Sequence, residues 1–160
     1  MVGAARSVLV ALALLLGPSP AQAQTPSEAA VKAAFLYKFA GYVEWPTEPP
    51  AGEPFVFGVV SADEVASELE RLAPGRALRG HRVIVRRMKE GQSFAGVQVL
   101  FVGRTEPVAA AIVRAAREQG VLTVTESERG LEMGSAINFV PIDDRVGFEV
   151  SLEAVEKGGH

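Results

Sequence analysis

The chain has 160 residues, a formal net charge of −3, two histidines and no cysteine. That length supports one domain with a real core, and the mildly acidic balance offers no electrostatic case for nucleic acid or for an anionic membrane surface. The missing cysteines exclude thiol catalysis, cysteine metal sites and stabilisation by disulfides, so packing alone must hold the fold.

Residues 1–23 read as a secretory signal peptide. Arg6 supplies a thin positive start, Val8 to Leu16 is an uninterrupted apolar run, Pro18 and Pro20 break it, and Ala21 to Ala23 form a small-residue cleavage site. The run is about half of the ~20 residues that span a bilayer, which makes a retained anchor the weaker reading. No cysteine is present for a lipid anchor. Cleavage after Ala23 predicts an exported protein, residues 24–160, with no direct membrane insertion and a net charge of −4 once Arg6 is lost.

An amphipathic helix is expected over Ala29 to Glu44. Val31, Phe35 and Phe39 recur every four residues, Leu36 and Val43 widen that stripe, Lys32 and Lys38 lie off its centre, and Pro46 stops the helix. A proline-rich connection, Thr47 to Pro54, leads to Phe55 to Val60, an apolar run without alternation of the kind buried on both faces of a sheet. Ser61 and Glu64 have the spacing of a capping box, and Val65, Leu69 and Leu72 give the following helix its apolar face until Pro74 and Gly75 end it.

Val83 to Val85, flanked by Arg82, Arg86 and Arg87, reads as an exposed edge strand with solvated arginines. Val97 to Val102 is the most apolar run after the leader and is expected at the centre of the sheet. Thr105 then reads as an N-cap and Pro107 as a first-turn residue, with Val108, Ile112 and Ala115 facing inward and Gly120 closing the helix. Val121 to Thr125 is a strand, and Glu126 to Gly134 a loop. Ala136 to Val140 and Arg145 to Val150, joined by Pro141 to Asp144, should pair as an antiparallel hairpin. The predicted class is α/β: a single-layer, mostly parallel sheet flanked by helices and ending in an antiparallel β-hairpin.

Catalytic chemistry finds little footing. There is no nucleophile elbow, and a Ser-His-Asp triad would have to use His81 at the start of the arginine-rich strand. Asp143 and Asp144 could hold a hard cation, but paired Asp in a hairpin connection serve turn geometry far more often. Gly75 and Gly80 have P-loop spacing, yet His81 stands where lysine is needed and the segment leaves a helix. No cofactor and no metal site is expected.

Ser61, Arg104 and Thr105 would border the crevice at the strand C-termini, where helix N-termini can receive an anion; the competing reading makes Ser61 and Thr105 simple caps. Asn138 between Ile137 and Phe139, and Glu149 between Phe148 and Val150, could line a solvent face or a protein contact.

Two separated signatures, Val31 to Pro46 and the hairpin Gly134 to Val140 with Arg145 to Leu152, together resemble the YfiR family of small periplasmic regulators. Gly58 to Val60, Leu100 to Val102 and Val121 to Thr125 fall where that family has strands. The resemblance implies a non-enzymatic protein that binds the periplasmic domain of an inner-membrane diguanylate cyclase and represses it, lowering cyclic di-GMP and biofilm formation. It implies a homodimer and sequestration by an outer-membrane lipoprotein. It also keeps open an extracytoplasmic small-ligand sensor that feeds another membrane signalling protein. The expected partner-binding residues are Tyr37, Tyr42, Trp45, Asn138, Phe148 and Glu149; Tyr37, Tyr42 and Trp45 exceed what a sheet-packing face needs. Two features depart from the family pattern. Cysteine pairs that make some relatives redox-sensitive are missing, and the sequence reaches Glu156 to His160 without the usual Leu- and Lys-bearing segment.

Overall fold

The computed structural model describes residues 23–105 and 107–160. The leader assigned to residues 1–23 therefore lies, apart from Ala23, outside the described residues. Phe55–Val60 forms β1, with every residue buried. A strand buried on both faces needs parallel neighbours and a helical layer on each side. β1 pairs in parallel with β3 (His81–Met88) and with β4 (Val99–Val102), and the sheet continues in parallel through β5 (Leu122–Thr125) to β6 (Ile137–Ile142). β7 (Arg145–Val150) closes one end antiparallel to β6, and the short β2 (Ala77–Leu78) closes the other antiparallel to β3. The strand order is β2-β3-β1-β4-β5-β6-β7, with β4 central as its composition predicts.

Helices α1 (Glu28–Tyr42) and α2 (Asp63–Leu72) cover the face that carries Phe55, Phe57, Phe101 and Phe139. Helix α3 (Ala109–Glu118) covers the other, over Val56, Val60, Leu100 and Val102. A fourth helix, α4 (Leu152–Lys157), follows the hairpin where the sequence reading placed no element; Ser151 caps it by accepting from the Ala154 N–H.

The buried face of α1 is rotated from the predicted stripe. Leu36 and Phe39 of the stripe are buried, together with Ala29, Ala33 and Ala40; Lys32 is buried beside them, and Val31 and Phe35 are only half-buried. Small residues let the helix backbone settle close to its neighbours, while Phe35 and Phe39 reach sideways to stack on Phe139 and Phe148 of the hairpin. The helix also ends earlier than Glu44. Val43 is extended, and the Trp45 indole N–H donates to the Ala40 carbonyl at 3.1 Å, satisfying one of the acceptors that a helix end leaves open.

Neither predicted cap holds. Ser61 sits in the left-handed region (φ 53°), α2 starts two residues later behind Ala62, and no side chain caps it. At α3 the Thr105 backbone carbonyl, not its hydroxyl, receives the Val108 and Ala109 N–H groups. The residues of α3 that turn inward are Ala109, Ile112, Val113 and Ala116, one step round from the predicted set.

Val83 to Val85 lies at the sheet edge as expected, because the two-residue β2 pairs only with His81 and Arg82 at the start of β3. β2 joins β3 through Arg79 and Gly80, both at positive φ; Arg82, Arg86 and Arg87 are exposed as expected, and Arg87 is in addition paired with Asp63 and Glu70 of α2. Because Leu36 is fully buried between α1 and the sheet, Leu36→Ala is expected to lower unfolding stability by about 2–5 kcal/mol, read from the urea midpoint.

Candidate functional site

The hairpin is built around one buried amide. Pro141 and Ile142 continue β6, so the connection shrinks to Asp143 and Asp144, whose φ values of 48° and 57° make the two-residue turn that matches strand twist. Those two Asp thereby serve turn geometry. Asn138, opposite Glu149, has no exposed surface. Its Nδ2 donates to the Ser127 carbonyl at 2.9 Å and to Glu149 Oε1 at 3.0 Å; its Oδ1 accepts from the Thr125 hydroxyl at 2.7 Å and the Ser127 N–H at 3.1 Å. These partners satisfy all four hydrogen-bonding positions of the side chain. Gly130 is needed beside it, since a Cβ there would stand 2.1 Å from Asn138 Oδ1. The loop after β5 is thus locked to the hairpin. Asn138 lies on neither a solvent face nor a contact surface.

The aromatic residues of α1 separate into two groups. Tyr37 is half-buried on Phe57, 5.3 Å between ring centres, with its hydroxyl enclosed and unpartnered; that burial raises its pKa. Trp45 packs edge-on against Phe55 and His160. Both are partly buried and pack against the core. Tyr42, one turn beyond Phe39, is 83% exposed, and Phe148, which packs on Phe39 at 4.9 Å, remains 40% exposed. With Val150 (41%) beyond Phe148 on the same strand face, they make an apolar flank shared by α1 and β7.

The strand-end crevice is closed at one point and open at another. Where β1 and β4 end, Gly103 meets Ser61 so closely that a Cβ on Gly103 would stand 2.2 Å from the Ser61 carbonyl oxygen. Ser61 and Thr105 do not line the cleft that Arg104 borders. Arg104 instead borders a cleft of about 640 Å³ between the start of α1, Glu126 and the hairpin tip, with Phe35, Phe139 and Arg145 in its wall. Sequence reasoning missed the group at its floor. The Lys32 ammonium is buried between Glu28 and Glu126 and bonded to both carboxylates. Burial opposes its charge, but the two carboxylates outweigh that and raise its pKa, while Lys32 lowers that of Glu28. A lysine inside an apolar helical stretch was the available signal.

His81, the histidine a triad would require, donates through Nδ1 to the Glu53 carbonyl at 2.8 Å. Among the described residues no cluster of three or more His, Asp or Glu could hold a metal ion, and no helix is long and apolar enough to cross a membrane.

Residues 29–159 match a family model described as YfiR/HmsC-like. A search of curated proteins gives no match. The matched span contains both signatures and every strand.

Asn138→Ala would leave the backbone groups of Ser127 buried without their partner. It is expected to destabilise the fold by about 1–3 kcal/mol, whereas Tyr37→Phe, which removes an unpartnered hydroxyl, should leave stability unchanged or raised in the same urea titration.

Proposed function

The chain belongs to the YfiR/HmsC-like family, and from that premise we propose that it is a non-enzymatic periplasmic regulator. It binds the periplasmic sensory domain of an inner-membrane diguanylate cyclase and holds it inactive, lowering cyclic di-GMP and biofilm formation. Repression of this kind requires only a higher affinity for the inactive cyclase, with no catalytic group. It acts as a homodimer, and an outer-membrane lipoprotein that occupies the same surface would relieve the repression.

The observation that supports a contact surface is the apolar flank of Tyr42, Phe148 and Val150, because large exposed aromatic side chains are the usual anchors of protein interfaces. Glu149, exposed on β7 and held by Asn138, supplies an oriented charge beside it. Asn138 holds Glu149 from within the sheet, whereas Tyr37 and Trp45 pack over β1, away from this flank.

A second reading, a small-ligand sensor, is favoured by the cleft that Arg104 borders, since it mixes three cations and three carboxylates with apolar walls. A polar ligand of low molecular weight carrying both charges would fit that lining. Ser61 and Thr105 drop out of this reading, and Lys32, Glu126 and Arg145 replace them.

Two outcomes are expected. Tyr42→Ala should weaken capture of the cyclase's periplasmic domain about tenfold, equivalent to about 1.4 kcal/mol, and raise cellular cyclic di-GMP without lowering stability; unchanged binding would place the interface elsewhere. In a thermal-shift screen of zwitterionic metabolites, a cleft ligand at a hundred times its dissociation constant should add about 2.7 kcal/mol of stability, and Arg104→Ala should abolish that gain.

A further inference from the structure

Natural sheets protect their edges with short strands, proline, lysine or bulges, because an open edge templates another strand. The two edges of this sheet differ in that respect. At one edge the two-residue β2 covers only His81 and Arg82, and the uncovered rest of β3 carries the exposed Arg86 and Arg87; at the other, β7 is six residues long, pairs with β6 in unbroken register, and contains neither proline nor lysine. Among the described residues no strand lies on its outer side.

The register fixes which backbone groups face outward. Ser151 donates its N–H to the Ala136 carbonyl at 2.8 Å, so in the alternating antiparallel pattern Arg145, Gly147, Glu149 and Ser151 direct their backbone groups toward β6. Val146, Phe148 and Val150 therefore present theirs to the open side. A second copy of β7 can use them only in a register that pairs these residues with each other.

Three such two-fold registers are near the middle of the strand, and charge distinguishes them. An axis through Val146 sets Glu149 against Asp143 of the second copy, which repels. An axis through Phe148 sets Arg145 against Ser151 and Glu149 against Gly147, leaving both charges unmatched. With the axis through Gly147, Val146 pairs with Phe148 of the second copy, and Arg145 meets Glu149 twice, at non-hydrogen-bonded positions where cross-strand side chains lie closest. Gly147 faces itself without a side chain to clash. The Glu149 carboxylate is already oriented by Asn138 Nδ2, with Oε1 occupied and Oε2 available.

We infer that β7 is a self-pairing edge, joining two copies antiparallel about Gly147 into one continuous sheet sealed by two Arg145–Glu149 ion pairs. This gives the homodimer proposed above its seam and rests on that part of the reading alone. The apolar flank of Tyr42 and Phe148 then borders the seam on each copy.

Sedimentation velocity on the processed chain, recovered after export, tests the inference. The parent should dimerise at micromolar concentrations. Arg145→Glu, which opposes two carboxylates, should raise the dimer dissociation constant about tenfold or more, while Arg145→Lys should stay within about threefold of the parent. Combining Arg145→Glu with Glu149→Arg reverses both charges and should restore the dimer. Arg145→Glu and Arg145→Lys leave the Asn138–Glu149 bond untouched, so they remain decisive if Glu149→Arg disturbs the fold. A parent that stays monomeric, or a dimer indifferent to Arg145→Glu, overturns the seam. Cyclase binding by a monomeric chain would overturn the seam and leave the repressor reading standing; a charge-sensitive dimer that binds no cyclase would do the reverse.

Discussion

The burial of β1 on both faces is the constraint from which the architecture follows. A six-residue strand with no solvent-facing side can exist only inside a sheet covered by helices above and below, because its backbone needs two strand neighbours and its side chains two apolar layers. Phe55 and Phe57 turn toward α1 and α2, and Val56 and Val60 toward α3. Gly58 has no room for more, since a Cβ there would stand 2.9 Å from both Leu100 Cδ1 and Met88 Sδ. The tightness at the centre of the sheet leaves variation to its ends.

At the hairpin end the apolar logic gives way to a polar one. Parallel β6 ends a layer that α1 covers only in part, and the remaining space is filled by Phe35 and Phe39 reaching over Phe139 and Phe148. The opposite face of the hairpin is secured by Asn138. A fully satisfied buried amide adds geometric specificity that an apolar residue could not, because its four partners fix the register of loop, strand and edge together. Lys32 does comparable work at the cleft, tying the first turn of α1 to the end of β5 through two carboxylates. Fixing the hairpin from both faces is what lets its outer edge stay regular and exposed.

That regular edge and the neighbouring apolar flank concentrate the features suited to recognition on one side of the molecule. The other edge is covered by a two-residue strand only at its start and carries exposed arginines, of which Arg87 pairs with α2 and Arg86 donates to the Ala95 carbonyl. The hairpin is held rigid by hydrogen bonds made within the chain.

The sequence by itself determined the class of fold, the order and type of most elements, the central place of Val99 to Val102 and the antiparallel hairpin. Each of these depends on local periodicity or on turn residues, which are readable without a partner. It also carried the family, through two signatures far apart in the chain. What it could not determine was which side of an element meets another. Asn138 reads as exposed by alternation, yet the loop after β5 folds over it and supplies its partners; Lys32 reads as peripheral, yet Glu126 is brought to it from 94 residues away. The cap at Ser61 failed for the same reason, since Ser61, pressed close to Gly103, takes a left-handed backbone that no N-cap adopts. Tyr37, Tyr42 and Trp45 look alike in sequence, and only the packing of α1 on the sheet decided that two lean on the core and one stands in solvent.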